Sequence, residues 1–218
     1  MRVSVSGSVE ISQLLEQSAG RHGRLCPRQV LGVRMGLLAG RVLEVDLPDS
    51  DKRLVAFVET DGCAADGVSV ATGCTVGGRT LRVVDFGKVA ATFVDVRADR
   101  AVRVVPQAGI REAAQSLAPR AKSRWHAQLE AYKVMPDSEL LAVQRVTLTV
   151  SLEKLLSKPG VRVNCEMCNE EIINEREMVI EGTILCRACA GYAYYRALGQ
   201  TLNADVCSGG VAHHLADR

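Results

Sequence analysis

Aromatic residues and long apolar segments are both scarce in this sequence of 218 residues. Aromatics make up 4% of the chain, which argues against a surface that binds single-stranded nucleic acid by base stacking. No run approaches the ~18 consecutive apolar residues of a membrane-spanning helix, and the polar segment 1–10 lacks the apolar core of a signal peptide. The chain is therefore predicted to be cytoplasmic. Its net charge of only +2 gives no reason to expect a membrane or a nucleic acid as its partner.

Cysteine is the residue that this chain has in unusual number, with eight in all. Because the cytoplasm keeps thiols reduced, these cysteines are expected to be metal ligands or reactive thiols rather than disulfides. The hydrophobic fraction of 47% and the charged fraction of 24% are those of an ordinary globular protein with a substantial core.

Apolar periodicity predicts an α+β domain over residues 1–156, with a mixed or antiparallel sheet and packed helices. Runs of apolar residues over 80–85, 89–96 and 101–105 are separated by short turns, which predicts an antiparallel meander. A small zinc-ribbon domain is predicted over 161–200, and the tail over 201–218 is predicted to be disordered. The predicted helices are 9–18, 27–43, 64–73, 109–117 and 122–134, and the other predicted strands are 53–60 and 140–150.

A histidine and a cysteine stand four residues apart just before the second predicted helix. Pro27 suits the first position of that helix, so Cys26 is predicted to cap it, where the helix dipole favours a thiolate. His22 would then share a metal ion or a proton with Cys26. The alternative is a buried structural cysteine beside an unrelated loop histidine.

A second candidate thiol follows the first predicted strand. Cys63 lies in the polar turn that opens the next helix, with Asp61 as a possible acid, base or simple turn residue. Cys74 belongs to a glycine-rich loop; if 64–73 is one helix, Cys63 and Cys74 are ~16 Å apart and cannot share a metal ion. Lys88, in a later turn, is either a weak anion ligand or a solvated lysine.

The strongest pattern in the chain is a pair of Cys-x-x-Cys motifs, Cys165/Cys168 and Cys186/Cys189, separated by seventeen residues. Two such knuckles predict a structural zinc site with four cysteine ligands and no open position for a substrate. A module this small cannot bury enough apolar surface alone, so bound zinc supplies much of its folding free energy.

Two resemblances follow from these motifs. The two Cys-x-x-Cys motifs and the helical segment 190–195 that follows them are similar to zinc fingers of the DksA/TraR kind. Five further motifs follow one another in the N-terminal part of the chain: His22-Gly-Arg-Leu-Cys26-Pro27, Leu31-Gly-x-Arg34-Met-Gly36, Asp61-Gly-Cys63-Ala-x-Asp66, Thr72-Gly-Cys74-Thr-x-Gly77 and Asp85-x-Gly87-Lys88. In this order they resemble the FmdE family, named after the E-type subunit of formylmethanofuran dehydrogenase, over residues of about 8–108. The family usually has histidine and glycine where this chain has Arg24 and Arg28, and a cation there favours an anion or a thiolate.

The FmdE resemblance implies a metal-binding accessory protein that handles a metal or cofactor for a molybdenum- or tungsten-linked redox pathway. The resemblance places three residues in one cleft that holds a second transition metal, namely His22, Cys26 and Cys63. Cys74, Asp61 and Lys88 are weaker candidates for the same cleft. The expected partner is a redox enzyme or a cofactor-biosynthesis protein, and a homodimer is expected from base rates. A Cys/His-dependent enzyme of the same cleft and a zinc-ribbon regulatory protein remain open as alternatives.

Overall fold

The computed structural model describes residues 11–151, 160–196 and 198. The chain forms two compact units, Met1–Leu152 and Glu153–Arg218. The predicted disordered tail over 201–218 lies outside the described residues. Within the described part, the structure has no helix that is long and apolar enough to cross a membrane.

A five-stranded mixed sheet forms the centre of the first unit, with strand order β2-β1-β3-β4-β5. The strands are β1 (Leu54–Val58), β2 (Leu81–Val83), β3 (Ala91–Asp95), β4 (Arg100–Pro106) and β5 (Leu141–Val146). Neighbouring strands from β1 through β3 and β4 to β5 are antiparallel, whereas β1 and β2 are parallel. The predicted α+β class with a mixed sheet is therefore confirmed.

The predicted meander is wrong at its first strand. β2 pairs with β1, with Ala56 opposite Leu81 and Val58 opposite Val83, and the adjacent β3 pairs with the other side of β1. The helix between β1 and β2 returns the chain to the start of the sheet, and a connection of that kind joins parallel strands. Turn length alone could not reveal that β1 separates the two strands.

Six helices of the described chain complete the first unit. They are α1 (Ile11–His22), α2 (Pro27–Leu43), α3 (Cys63–Thr72), α4 (Ile110–Leu117), α5 (Arg124–Val134) and the short α6 (Asp137–Leu140). The predicted bounds of α2 agree with the structure, and Pro27 occupies its first turn. Alternate residues of β1, Leu54, Ala56 and Val58, share the core with apolar residues of α2 and α3.

Glycines let α2 and α3 pack backbone against backbone. A Cβ atom placed on Gly32 would lie 2.2 Å from the carbonyl oxygen of Ala64, and one on Gly67 would lie 2.3 Å from the carbonyl oxygen of Gln29. Further along, Gly36 faces Ala71. Because contacts advance in the same direction along both helices, α2 and α3 are parallel and their N-termini lie side by side.

Arg34 of α2 forms hydrogen bonds with the segment 132–137, which leads from the end of α5 into α6. Its guanidinium donates to the Asp137 carboxylate at 2.6 Å and 3.1 Å, to the carbonyl oxygen of Met135 at 2.7 Å and to that of Tyr132 at 3.0 Å. Its side chain is only 11% exposed. Arg34 and the glycines of the same motif therefore serve packing rather than ligand binding.

The described residues of the second unit form two small hairpins and a helical turn. β6 (Arg162–Asn164) pairs with β7 (Glu171–Ile173), and β8 (Met178–Ile180) pairs with β9 (Thr183–Leu185). Ala188–Tyr192 forms the turn that follows. Cys165, Ile172 and Leu185 are the buried residues of its small core.

Candidate functional site

The parallel packing of α2 and α3 brings two predicted thiols together. Cys26 is the N-cap residue of α2, and Cys63 is the first residue of α3. Their side chains are in hydrogen-bonding contact, with Cys26 buried and Cys63 partly exposed. Each sulfur lies at the N-terminal end of a helix, where unpaired backbone N–H groups stabilise negative charge.

A buried glutamine that the sequence analysis did not single out holds Cys26 in place. Cys26 and Gln29 form a capping box, in which Gln29 Oε1 accepts from the Cys26 N–H at 2.7 Å. Gln29 Nε2 donates to the carbonyl and hydroxyl oxygens of Ser18 in α1, at 2.7 Å and 3.0 Å. A glutamine three residues after a cap residue is the sequence signal that could have identified it.

Two opposing effects act on Cys63. Burial and the hydrogen bond with Cys26 raise the pKa of the Cys63 thiol above its ordinary value, and the positive charge of Arg28 acts in the opposite direction. Cys63 is therefore mainly a neutral thiol at pH 7. A metal ion that binds it must displace a proton.

Other predicted site residues lie near the carboxyl end of β1, just before α3 begins. The carboxyl ends of the parallel strands β1 and β2 meet at one edge, and the backbone N–H of Lys88 donates to the carbonyl oxygen of Glu59, just after β1, at 3.1 Å. Asp61 lies in the turn between β1 and α3, and both Asp61 and Lys88 are exposed. His22 is the last residue of α1, four positions before Cys26.

The structure does not bring Cys74 to the cysteine pair. Cys74 follows the C-terminus of α3, eleven positions after Cys63, which is ~16 Å along the helix axis. Its buried thiol contacts the carbonyl oxygen of Leu54 at 3.4 Å, and burial raises its pKa. Cys74 is a core residue of the first unit and not part of the predicted cleft.

The four cysteines of the second unit converge on one point. Their sulfur atoms all lie within 4.8 Å of one another, and the sulfurs of Cys168 and Cys186 are 3.9 Å apart. Zn–S bonds of about 2.3 Å put the sulfurs of a tetrahedral site about 3.8 Å apart. Among the described residues, no other group of three or more possible ligands has this geometry.

Backbone N–H groups near the four cysteines favour the thiolate form that binds a metal cation. The backbone N–H groups of Cys186 and Cys189 point at sulfur, at 3.2 Å from Cys165 Sγ and 3.4 Å from Cys186 Sγ. Backbone donors, chiefly that of Cys168, lower the pKa of Cys165 to about 6. The residues therefore fit a structural zinc ion with four thiolate ligands.

These features define an α+β protein with a cysteine pair at two helix N-termini and a separate four-cysteine zinc unit. The sequence profile described as "FmdE, Molybdenum formylmethanofuran dehydrogenase operon" matches residues 21–142, and the prokaryotic DksA/TraR C4-type zinc finger matches residues 159–195. The chain belongs to the FmdE family and carries a C4-type zinc finger, which confirms both predicted resemblances.

Two known proteins are similar to this chain. A "Probable S-adenosyl-L-methionine-binding protein" of Archaeoglobus fulgidus is 30% identical over 217 residues, which cover 88% of this chain and 56% of that protein. The chain thus spans just over half the length of this curated relative. The crystal structure of a tungsten formylmethanofuran dehydrogenase FmdE-like protein from Syntrophus aciditrophicus matches with a TM-score of 0.58 at 23% identity. That match covers 90% of this chain and 100% of the other, and it supports the fold.

Proposed function

We propose that this protein is an FmdE-type accessory protein that carries a soft transition-metal ion at the Cys26–Cys63 pair, with His22 as a third ligand. The single observation that carries this proposal is the contact between the two thiols at the ends of α2 and α3. Thiolate and imidazole ligands select soft or borderline metals such as Cu(I) and Zn(II).

The positive charge around the two cysteines favours thiolate ligands in this site. Burial keeps a proton on Cys63 until a metal ion displaces it, and Arg28 and the two helix N-termini then favour the resulting thiolate. The partly exposed Cys63 offers an incoming ion a first ligand, and the buried Cys26 closes the site behind it. A site with few ligands that is open on one side suits delivery of a metal better than permanent storage.

The matched family suggests which enzyme system this protein serves. The description of the matched family refers to the operon of molybdenum formylmethanofuran dehydrogenase. We infer that the protein hands its metal or cofactor to a molybdenum- or tungsten-linked redox enzyme, or to a protein that assembles its cofactor, in the cytoplasm. The zinc unit serves as a structural module of this protein.

The test is the metal content per chain, measured by elemental analysis of untagged protein purified without oxygen. We expect about two metal ions in the wild-type protein and one in a C26S/C63S variant, since zinc at the four-cysteine site is retained. Cys74→Ala is the matched control, because it removes a thiol that contacts the protein core, and it should keep two ions. One zinc ion in both the wild-type protein and the C26S/C63S variant would overturn the proposal.

Binding of S-adenosyl-L-methionine is a second candidate function, favoured by the name of the Archaeoglobus relative. Asp61 and the exposed Phe86, whose backbone N–H donates to the carbonyl oxygen of Glu59 at 2.9 Å, flank the end of β1. A carboxylate there suits ribose hydroxyls, and an aromatic ring suits adenine. We expect calorimetric titration to show binding that F86A and D61N weaken at least tenfold, and no binding to the wild-type protein would remove this candidate.

A further inference from the structure

The contact between Cys26 and Cys63 places two thiols where one disulfide bond can join them. Their side chains are in hydrogen-bonding contact, although the two residues are far apart in the sequence. An S–S bond of about 2.05 Å is shorter than such a contact, and rotation of the partly exposed Cys63 side chain brings the two sulfur atoms closer. The pair is therefore a candidate site of reversible oxidation.

Tertiary packing already holds the two helix ends together. A Cβ atom on Gly32 would meet the carbonyl oxygen of Ala64, and one on Gly67 would meet that of Gln29, so the first turns of α2 and α3 lie backbone against backbone. The capping box with Gln29 fixes the backbone of Cys26. A disulfide between Cys26 and Cys63 would thus join two elements that are neighbours in the folded protein.

The two thiols of the pair differ in their access to solvent. Cys63 is partly exposed, whereas Cys26 is only 8% exposed. A dissolved small-molecule disulfide therefore reaches Cys63 first. The buried Cys26 contacts Cys63 from the protein side, where it can attack a mixed disulfide formed there.

The other described cysteines have no such arrangement. Cys74 is 1% exposed, and its thiol contacts the carbonyl oxygen of Leu54 at 3.4 Å. The four cysteines of the second unit converge on one site, where zinc occupies all four thiolates in the loaded protein. Among the described residues, thiol–disulfide exchange is therefore expected at the Cys26–Cys63 pair.

We propose that Cys26 and Cys63 form a reversible disulfide by exchange with a small-molecule disulfide. The Cys63 sulfur attacks the small disulfide, breaks its S–S bond, forms a mixed disulfide and releases one thiolate. The Cys26 sulfur then attacks the Cys63 sulfur, which closes the bond between the two cysteines and releases the second thiolate. The pair gives up two electrons and two protons, and the small disulfide takes up both to become two thiols.

The disulfide has a consequence for metal binding, and this consequence rests on the proposed function. A metal ion held by Cys26 and Cys63 loses both thiolate ligands when the S–S bond closes, because only the thiolate is a ligand. Oxidation would therefore release the ion from the first unit, and reduction would restore the site.

Peptide mapping of the full chain tests the disulfide. The protein is loaded with one equivalent of zinc, which leaves the cysteine pair metal-free, treated with glutathione disulfide without oxygen and blocked with N-ethylmaleimide in acid. Trypsin then releases Cys26 in the peptide 25–28 and Cys63 in the peptide 54–79. We expect these two peptides to be cross-linked in most wild-type chains, and excess reduced glutathione should reverse the cross-link.

Cys74→Ala is the matched control, because Cys74 lies in the same tryptic peptide as Cys63. The cross-link should persist in C74A and be lost in C63S, while C26S should accumulate the mixed disulfide of Cys63 with glutathione. A wild-type protein that shows no cross-link at any ratio of oxidised to reduced glutathione would overturn the proposal. So would a cross-link that is lost in C74A and kept in C63S.

The same reaction with two equivalents of zinc separates this inference from the proposed function. We expect about one zinc ion per chain to be released as the cross-link forms, measured with a chromogenic chelator. Cross-linking of a chain that binds no second ion would overturn the metal-carrier proposal and support the disulfide. A second ion in a chain that never cross-links, even with the pair metal-free, would do the reverse.

Discussion

At the scale of single residues, the chemistry of the cysteine pair depends on a balance between burial and charge. Burial and the bond to Cys26 hold a proton on Cys63, whereas Arg28 favours its removal. The thiolate is the species that binds a soft metal and reacts with electrophiles. Arg28, which stands where the family usually has glycine, therefore contributes to the reactivity of Cys63.

Replacing Arg28 with glutamine should raise the pKa of Cys63 further, because the one charge that lowers it is lost. We expect iodoacetamide to modify Cys63 several-fold more slowly in R28Q at pH 8, with the difference closing at high pH, where the thiol ionises in both proteins. Peptide mass spectrometry of the alkylated protein measures the rate at this cysteine.

Arg24→Gln removes a nearby surface charge in the same segment and is the control for that experiment. It should leave the rate at Cys63 unchanged within twofold. Equal rates in wild-type and R28Q proteins across the pH range would show that Arg28 has no influence on this thiol.

At the scale of elements, the parallel contact between α2 and α3 positions the two thiols. The glycines at this contact allow the two helix axes to approach each other without a side chain between them. The N-cap of α2 and the first residue of α3 then meet at one end. A wider separation of the helices would separate the two sulfur atoms.

Gly32→Ala should therefore damage both stability and the site. The new Cβ would lie 2.2 Å from a backbone oxygen of Ala64, which cannot move without shifting α3, so we expect a loss of about 2–3 kcal/mol and weaker metal retention. Trp125, the one tryptophan of the chain, lies in the first unit and reports its unfolding in urea.

Gly20→Ala is the matched control for the helix contact. Gly20 is exposed within α1, and a Cβ there meets nothing within 4 Å. Because alanine favours a helix, this variant should gain about 0.5–1 kcal/mol. Equal stability of G32A and the wild-type protein would contradict the close packing of α2 and α3.

At the scale of the whole first unit, an ion pair with one fully buried partner connects the start of β1 to the end of β3. Asp95 is completely buried, and its carboxylate accepts from Arg53 at 2.6 Å and 3.1 Å and from the backbone N–H groups of Arg97 and Ala98. The hydrogen bond from Arg53 is the largest cause that lowers the pKa of Asp95. The buried carboxylate thus remains charged in the folded protein.

The lowered pKa determines how this pair contributes to stability across pH. Its contribution is present above the unfolded-state pKa of about 3.9 and is lost as the pH falls toward the lower folded-state value. We expect Asp95→Asn to cost about 2–3 kcal/mol at pH 7 and a smaller amount at pH 3, measured by urea unfolding with Trp125 fluorescence.

Asp51→Asn is the control for the buried pair. Asp51 is 68% exposed, and its partner Arg97 is 3.7 Å away, so this surface pair should contribute less than about 1 kcal/mol at either pH. A cost for D95N that is the same at pH 7 and pH 3 would exclude the linkage between the pKa of Asp95 and stability.

Some features could be predicted from the sequence because they depend on short stretches of chain. Pro27 followed by apolar residues at helical spacing predicts α2, and the paired Cys-x-x-Cys motifs predict a cluster whose four sulfurs the structure brings together. The FmdE motifs identify the family, although Arg34 and Gly32 within them proved to be packing residues. The roles of His22, Asp61 and Lys88 stay predictions.

The sequence by itself determined most of the helices and strands, the four-cysteine zinc unit and the family, because each is encoded in local spacing along the chain. Only the tertiary structure decided that β2 joins β1 and that Gln29 fixes Cys26, whereas the family resemblance had already grouped Cys63 with Cys26. Strand order and helix contacts depend on which distant surfaces pack together, and residue periodicity carries no information about that choice. The pairing of Cys26 and Cys63, which are distant in sequence, is therefore a product of the fold.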